Sequence, residues 1–270
     1  MRLVAVAALS ACVLAAAVPA ALPATAASNA VSIKAATTLP YAGTHDLLSG
    51  SVTGPGVYRL QEQYYSGGWR NQASVAPSSG KYHFSLFRTN VGVVKYRVVA
   101  TNRAGKTLAT SAGLVLRWLG WQNIANAQNS QGNYSVCTYD CYRDETYSFN
   151  GTPYQHSLSL QSPASNNNPT QVKSQYDLHF GGICRALRYT LGFAAGAAAN
   201  DMGRLEVLSD GNGVSSVPFG PSQGLAVTVN GLAGHDLISV ISSADFYDNP
   251  DFTHQYAVVG TPQALCDGNI

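Results

Sequence analysis

Two polar clusters in the second half of the sequence carry the residue types that bind sugars. A sugar site needs an aromatic face and several amide, carboxylate or imidazole groups directed at hydroxyls. One cluster lies beside Cys137 and Cys141, the other follows residue 247, and His156 can join either if its hairpin faces them. Each residue alone is also typical of an ordinary polar loop. The candidate ligand-binding residues are Tyr139, Tyr142, His156, Asp248, Asn249, Asp251 and His254.

The second cluster also offers oxygen ligands for a metal ion. Asp248, Asn249 and Asp251 are hard donors of the kind that calcium prefers, although their spacing is not that of an EF-hand loop. We therefore predict no metal and no required cofactor, and keep a structural calcium ion as the alternative.

The sequence gives little support for catalysis. There is no His-Glu-x-x-His and no phosphate-binding loop. Residues 220–224 spell Gly-x-Ser-x-Gly, but they lie between two predicted strands, whereas a nucleophile elbow joins a strand to a helix. Asp144 and Glu145 are adjacent, so on a regular strand they point to opposite faces and cannot flank one glycosidic bond. We therefore predict no catalytic residues, and a secreted hydrolase is the least favoured function.

The first 27 residues are typical of a secretory signal peptide. Arg2 precedes an apolar run that ends in the small-x-small sequence Ala24-Thr25-Ala26. A retained membrane anchor and lipidation at Cys12 are the alternatives. We expect a secreted, extracellular protein that begins near residue 28 and has no membrane partner after cleavage.

The remaining cysteines are even in number, which in an exported chain indicates two disulfides. Four cysteines allow three connectivities. We predict Cys137–Cys141, which are close in sequence, and Cys184–Cys266. A zinc site is the alternative, but Cys-x-x-x-Cys without a second ligand pair is weak support for it.

The composition fits a secreted β-rich protein with a polar, mostly uncharged surface. Hydrophobic residues make up 46% of the chain, but charged residues only 11%, and there are 26 glycines and 15 tyrosines. The formal net charge of +2 gives no reason to expect a nucleic-acid partner. We expect a monomer whose partner is a glycan or cell-wall polysaccharide.

Residues 28–118 show short alternating strands at the spacing of a β-sandwich. Trp69 follows the turn Ser66-Gly67-Gly68, where it either stacks on a sugar or packs across the hairpin. The predicted strands are Leu47–Val52, Val57–Tyr65, Trp69–Val75, Lys81–Phe87, Val93–Thr101 and Leu114–Trp118.

Residues 119–270 predict a second β-domain, of the jelly-roll kind, after a packed linker over 119–131. Asn150-Gly151 and Asp210-Gly211 are strong hairpin signals, and no stretch keeps helical spacing for three turns. The predicted strands are a hairpin over Tyr147–Leu160, then Tyr176–Leu178, Cys184–Phe193, Arg204–Ser209, Val214–Phe219, Leu225–Val229, Leu237–Ser242 and Gln255–Val259.

The first region resembles the immunoglobulin-like or fibronectin-III-like modules of secreted actinobacterial proteins. The resemblance rests on GKYHFSLFRTNVGVVKYRVVATNRAG, residues 80–105, and on the GGW hairpin tip. It implies an immunoglobulin-like β-sandwich. Such modules serve as spacers or adhesion modules.

The second region resembles the NPCBM or NEW2-type carbohydrate-binding modules, which have a galactose-binding-like jelly roll. The resemblance spans roughly residues 145 to 260, and Gln161 stands where that family often has histidine. It implies an all-β chain in which an immunoglobulin-like β-sandwich is followed by a galactose-binding-like jelly-roll β-sandwich. The motifs, in order, are NGTPYQHSL, YDLHFGGICRALRYTLGF, RLEVLSDGNGV and LAVTVNGLAGHDLISVISSAD.

These observations favour a secreted, non-catalytic carbohydrate-binding protein that recognises a glycan through loops of its C-terminal jelly roll. The alternative is a structural or protein-interaction β-sandwich protein without a sugar site.

Overall fold

The computed structural model of the protein describes residues 28–125, 135–138, 141–149, 151–162, 172–194, 202–221, 224–245 and 255–270. In these ranges the chain is all-β: its strands form several sheets, and no helix is present. Within the same ranges, no helix is long and apolar enough to cross a membrane. The predicted all-β fold class is confirmed.

Strands β1 to β9 form two antiparallel sheets, which we call the N-terminal sandwich. In one sheet β3 pairs with β1, β2 and β6, and the other has the order β5-β4-β7-β8, with β9 also paired to β7. The strands are β1 (Ala30–Val31), β2 (Lys34–Ala35), β3 (His45–Thr53), β4 (Arg59–Tyr65), β5 (Trp69–Val75), β6 (Lys81–Phe87), β7 (Gly92–Thr101), β8 (Thr107–Thr110) and β9 (Leu114–Trp118).

Alternation along each strand explains why these sheets pack face to face. In β6 every second residue is buried, because side chains alternate across a pleated strand. The same period places the inward faces of β3 and β6, in one sheet, against those of β4, β7 and β9 in the other. The buried core comprises Leu48, Val52, Leu60, Tyr82, Phe84, Leu86, Val94, Tyr96, Val98, Ala100, Leu116 and Trp118.

Strands β10 to β20 form a second pair of antiparallel sheets, the C-terminal sandwich. One sheet has the order β12-β13-β20-β15-β18, with β10 also paired to β20, and the other has the order β11-β14-β19-β16-β17. The strands are β10 (Gly120–Asn123), β11 (Ser135–Thr138), β12 (Cys141–Phe149), β13 (Thr152–Ser162), β14 (Val172–His179), β15 (Cys184–Phe193), β16 (Met202–Ser209), β17 (Asn212–Phe219), β18 (Leu225–Asn230), β19 (Leu237–Asp245) and β20 (Gln255–Cys266).

The core of the C-terminal sandwich lies between these two sheets, and a disulfide closes one end of it. Cys184 at the start of β15 is bonded to Cys266 at the end of β20, which confirms that predicted pair. The side chains of Cys137 and Cys141 lie outside the described residues, so their pairing stays a prediction. The core includes Leu158, Leu160, Tyr176, Leu178, Leu187, Leu191, Phe193, Leu205, Val207, Phe219, Ile238 and Val240.

The chain passes from the first sandwich to the second at Leu119. Strand β9, which ends at Trp118, pairs with β7, whereas β10, which begins at Gly120, pairs with β20. Leu119 packs with Ala186 and Leu265, and the partly buried Leu39 and Trp121 pack against them. The stretch predicted as a linker therefore contributes a strand to the second sandwich at its beginning.

Candidate functional site

The structure describes only part of the candidate site. Tyr139, Asp248, Asn249, Asp251 and His254 lie outside the described residues. Tyr142 is described by its backbone alone, on β12 opposite Ser159 of β13. The structure places His156 in full.

The strand registers nevertheless bring the flanks of these segments to one end of the C-terminal sandwich, which we call the open end. Cys141, where β12 begins, pairs with Leu160 near the end of β13, and Ser162 pairs with Gln255, where β20 begins. In the other sheet, Met202 at the start of β16 pairs with Asp245 at the end of β19. The connections that hold Tyr139 and the 248–254 cluster are therefore anchored at the same end.

His156 lies away from the open end, because it is six residues along β13 from Ser162. At about 3.3 Å per residue this is about 20 Å. Its exposed imidazole is paired through Nδ1 with the Asp144 carboxylate on the neighbouring strand. The structure therefore places His156 in a different cluster from the connections at the open end.

The cluster around His156 is built on irregular backbone. Asp144, His156 and Thr261, on the neighbouring strands β12, β13 and β20, all have positive φ, at 61°, 52° and 44°. The register shifts between Arg143 and Glu145 of β12, which marks a β-bulge. Left-handed backbone at a non-glycine residue costs on the order of 1–3 kcal/mol, and such strain concentrates at functional sites. Bulges also re-aim side chains.

Hydrogen bonds hold these bulged residues in place. The Tyr147 hydroxyl is within hydrogen-bond distance of Glu145 Oε2, at 2.6 Å, and of Ser159 Oγ, at 2.8 Å. Thr261 Oγ1 donates to the Gln155 carbonyl at 2.9 Å. We call Asp144, Glu145, Tyr147 and His156 the bulge cluster. It brings carboxylate, phenol and imidazole groups together on the neighbouring strands β12 and β13, and these are group types that contact sugar hydroxyls.

His156 was a candidate from the sequence, whereas its neighbours Asp144, Glu145 and Tyr147 were not. We expected Asp144 and Glu145 to point to opposite faces of a regular strand. The bulge breaks that alternation, so the argument does not apply to them. A bulge depends on the register with a partner strand, and the sequence of one strand does not show it.

The bulges also let the β12–β13 hairpin bend over the outer face of its sheet. The Phe149 and Tyr154 rings pack together, with centroids 5.0 Å apart. A Cβ atom at Gly260 of β20 would lie 3.0 Å from Tyr154 Cγ and 3.2 Å from Phe149 Cε2. Glycine therefore lets the hairpin rest directly on β20.

A second aromatic surface lies beside β10. The Arg188 guanidinium stacks over the Trp121 ring at 4.3 Å, and its Nε donates to Gln263 Oε1 at 2.7 Å. This stack adjoins Leu265, at the junction between the sandwiches. The Trp121 side chain therefore packs within the junction between the sandwiches.

Metal ligands do not converge in the described part of the chain. No three of its histidine, cysteine, aspartate and glutamate side chains are grouped closely enough to hold a metal ion. The predicted alternative, calcium at Asp248, Asn249 and Asp251, lies outside the described residues. It stays an untested alternative.

No protein family matches the sequence, and no curated protein does. Among solved structures, the chain is similar to the CBM51-2 and INT domains of Clostridium perfringens ZmpB in complex with GlcNAc, at 9% identity and a TM-score of 0.38. That match covers 65% of this chain and 38% of the other, so this chain spans well under half of its length.

Two further similar structures are single carbohydrate-binding modules. The CBM51 of Clostridium perfringens GH95 in complex with methyl-galactose has 13% identity and a TM-score of 0.38, over 54% of this chain and 99% of that one. TmCBM61 in complex with β-1,4-galactotriose has 8% identity and a TM-score of 0.27, over 54% and 86%. At these identities and TM-scores, the similarities assign no ligand and no role to this chain.

Proposed function

We propose that the protein is a secreted, non-catalytic carbohydrate-binding protein that recognises a glycan through connections at the open end of its C-terminal sandwich. The main support is the register of β12, β13, β16, β19 and β20. It anchors the segments with Tyr139, Asp248, Asn249, Asp251 and His254 at one end of a disulfide-closed sandwich. A rigid scaffold that presents loops at one end suits binding.

The proposal includes two modules, an immunoglobulin-like one over 28–118 and an NPCBM-like one over 119–270. Two separate hydrophobic cores and the change of sheet at Leu119 support this division. The Cys184–Cys266 disulfide is consistent with export.

The alternative function is a structural or protein-interaction protein without a sugar site. One observation favours it: the Asp144 and His156 side chains are paired with each other where the hairpin bends, so they can serve the fold alone. A hydrolase is less favoured. In the described part of the chain no hydroxyl or thiol is hydrogen-bonded to Nε2 of His156, the ring nitrogen that a nucleophile would need.

The test is binding of the purified secreted protein to a glycan array and to insoluble polysaccharides. For a glycan that binds, the double variant Asp251→Ala/His254→Ala should weaken affinity at least about tenfold, because two polar partners of sugar hydroxyls are removed. The matched control is His235→Ala, which removes a histidine from the connection between β18 and β19, at the opposite end of the sandwich.

Each outcome distinguishes the candidates. A site at the open end is contradicted if Asp251→Ala/His254→Ala and His235→Ala lose the same affinity for the glycan, or if neither loses any. Failure to bind any glycan at millimolar concentration contradicts carbohydrate binding and favours the structural alternative. Turnover of glycosides or peptides that a single substitution abolishes would establish a hydrolase instead.

A further inference from the structure

The charges of the chain are divided unequally between its two halves. Residues 28–118 contain ten basic and two acidic residues, a formal charge of +8, whereas residues 119–270 contain five basic and twelve acidic residues, a formal charge of −7. The small net charge of the whole chain hides this division. The basic residues of the first half are Lys34, Arg59, Arg70, Lys81, Arg88, Lys95, Arg97, Arg103, Lys106 and Arg117.

Within the described ranges, few of these cations are paired with an acidic side chain. Both acidic residues of the first half, Asp46 and Glu62, are buried. In the part of the chain that the structure describes, Arg117 makes the one ion pair that involves these cations, with Asp267. The N-terminal sandwich therefore presents a strongly positive surface to an anionic ligand.

The outer face of β4, β5 and β7 carries an organised polar and aromatic surface within this positive field. The Arg97 guanidinium stacks on the Trp69 ring at 4.1 Å, and its Nε donates to Gln63 Oε1 at 2.7 Å. Gln63 Nε2 donates in turn to Asn71 Oδ1 at 2.7 Å. Tyr65, which is 53% exposed, packs edge-on against Trp69. We call these five residues the arginine platform.

The partners of Arg97 leave its charged end available. Stacking on Trp69 and the bond to Gln63 hold the guanidinium in one orientation. Among the described residues, its two terminal amino groups donate no hydrogen bond. A guanidinium held in this way is suited to bind a carboxylate or phosphate through two parallel hydrogen bonds. Lys95, exposed on the same strand two residues earlier, extends the positive face.

The neighbouring groups favour a sugar polymer as the carrier of that anion. The amides of Gln63 and Asn71 match sugar hydroxyls, and the exposed Tyr65 offers an apolar ring face. Proteins that bind single-stranded nucleic acids stack successive bases on free aromatic faces. One face of the Trp69 ring is already covered by Arg97, so this surface is less suited to base stacking. Repeating anions along a polysaccharide would match the exposed cations of this sandwich.

We propose that the N-terminal sandwich binds an anionic polysaccharide, and that the arginine platform is its contact surface. The chemistry required is a repeating carboxylate or phosphate on a hydroxyl-bearing sugar chain. This site is separate from the glycan site proposed at the open end, and neither depends on the other.

The test measures binding of the full secreted protein to polygalacturonate at low salt, with fully methyl-esterified polygalacturonate as the uncharged counterpart. We expect the acid form to bind, the ester not to bind, and affinity to fall steeply as salt rises. Arg97→Gln and Trp69→Ala should each weaken binding about tenfold. Arg204→Gln, which removes one positive charge from the C-terminal sandwich, should change it less than about twofold. A poly(glycerol phosphate) arm separates phosphate from carboxylate preference.

Several results would overturn the proposal. One is equal affinity for polygalacturonate and for its methyl ester. Another is an equal loss of affinity for polygalacturonate in Arg97→Gln and Arg204→Gln. Tighter binding of oligo(dT) than of either polymer would indicate a nucleic-acid site. Loss in Lys34→Gln/Lys81→Gln but not in Arg97→Gln would move the site to the groove of about 490 Å³ that these lysines line on the other sheet. Thermal unfolding of each variant shows whether it is folded. The result of the Asp251→Ala/His254→Ala variant at the open end does not affect this test.

Discussion

Glu62 is a buried acid on the inward face of β4, between Leu60 and Tyr64. Its side chain has no exposed surface, and no described residue donates a hydrogen bond to either carboxylate oxygen. Burial raises the pKa of Glu62 to about 7. The folded protein therefore holds a proton that the unfolded chain, with a glutamate pKa of about 4.3, releases. The contribution of Glu62 to the free energy of unfolding therefore falls as pH rises from about 4.3 to about 7, and it is constant above that.

We expect Glu62→Gln to remove this pH dependence. From about pH 5 to about pH 8 the parent should lose up to about 3 kcal/mol of its free energy of unfolding, and the variant much less. Urea unfolding of the parent and of the variant at each pH, followed by tryptophan fluorescence, measures the two free energies; Trp118, buried in the core of the N-terminal sandwich, contributes to that signal. Glu206→Gln in the other sandwich is the control. An unchanged pH dependence in Glu62→Gln would show that other groups cause it.

At the scale of elements, the bend of the β12–β13 hairpin depends on Gly260. We expect Gly260→Val to destabilise the protein by about 1–3 kcal/mol, because its side chain would overlap Tyr154 and Phe149. Hydrogen exchange should become faster along β12 and β13, as the hairpin lifts from β20. Gly213→Ala is the matched control, since its Cβ would have only an ordinary contact, 3.9 Å from Leu208 Cδ2. Unchanged stability and exchange in Gly260→Val would contradict this account.

Several strands were predicted with the bounds that the structure has. Lys81–Phe87 agrees at both ends because its apolar residues recur at the period of a pleated strand. Trp69–Val75 and Cys184–Phe193 also agree at both ends, although their burial does not alternate. Strand β10 was missed, since Gly120–Asn123 is polar and lacks alternation. Strand β20 was predicted to end at Val259, but it continues to Cys266 through the irregular backbone at Thr261.

The candidate site was predicted from residue types in turn-rich polar segments between strands. Asp251 and His254 stay predictions, because they lie outside the described residues. The pairing of Asp144 with His156 depends on bulges in two strands, which only their mutual register defines. Likewise, the stacking of Arg97 on Trp69 required the register of β4, β5 and β7.

At the scale of the whole molecule, a buried acid forms an ion pair between the two oppositely charged sandwiches. Asp267, which is 3% exposed, lies after β20. Its Oδ2 accepts from Arg117 Nη1 of the N-terminal sandwich at 3.1 Å and from Arg185 Nη2 at 3.5 Å. Gln122 Nε2 also donates to the Gly268 carbonyl at 2.6 Å. Of these contacts, the Arg117–Asp267 pair crosses the junction, and we expect it to restrict movement between the two sandwiches.

A double-mutant cycle on Asp267→Asn and Arg117→Gln tests this junction. We expect the two substitutions to be non-additive by about 1 kcal/mol, because each removes the same ion pair, which is buried on the Asp267 side and half exposed on the Arg117 side. Both variants should also increase cleavage near residues 119–125 in limited proteolysis, since the junction opens more often. Additive effects with unchanged proteolysis would show that the apolar contacts of Leu119, Ala186 and Leu265 hold the sandwiches together without the ion pair.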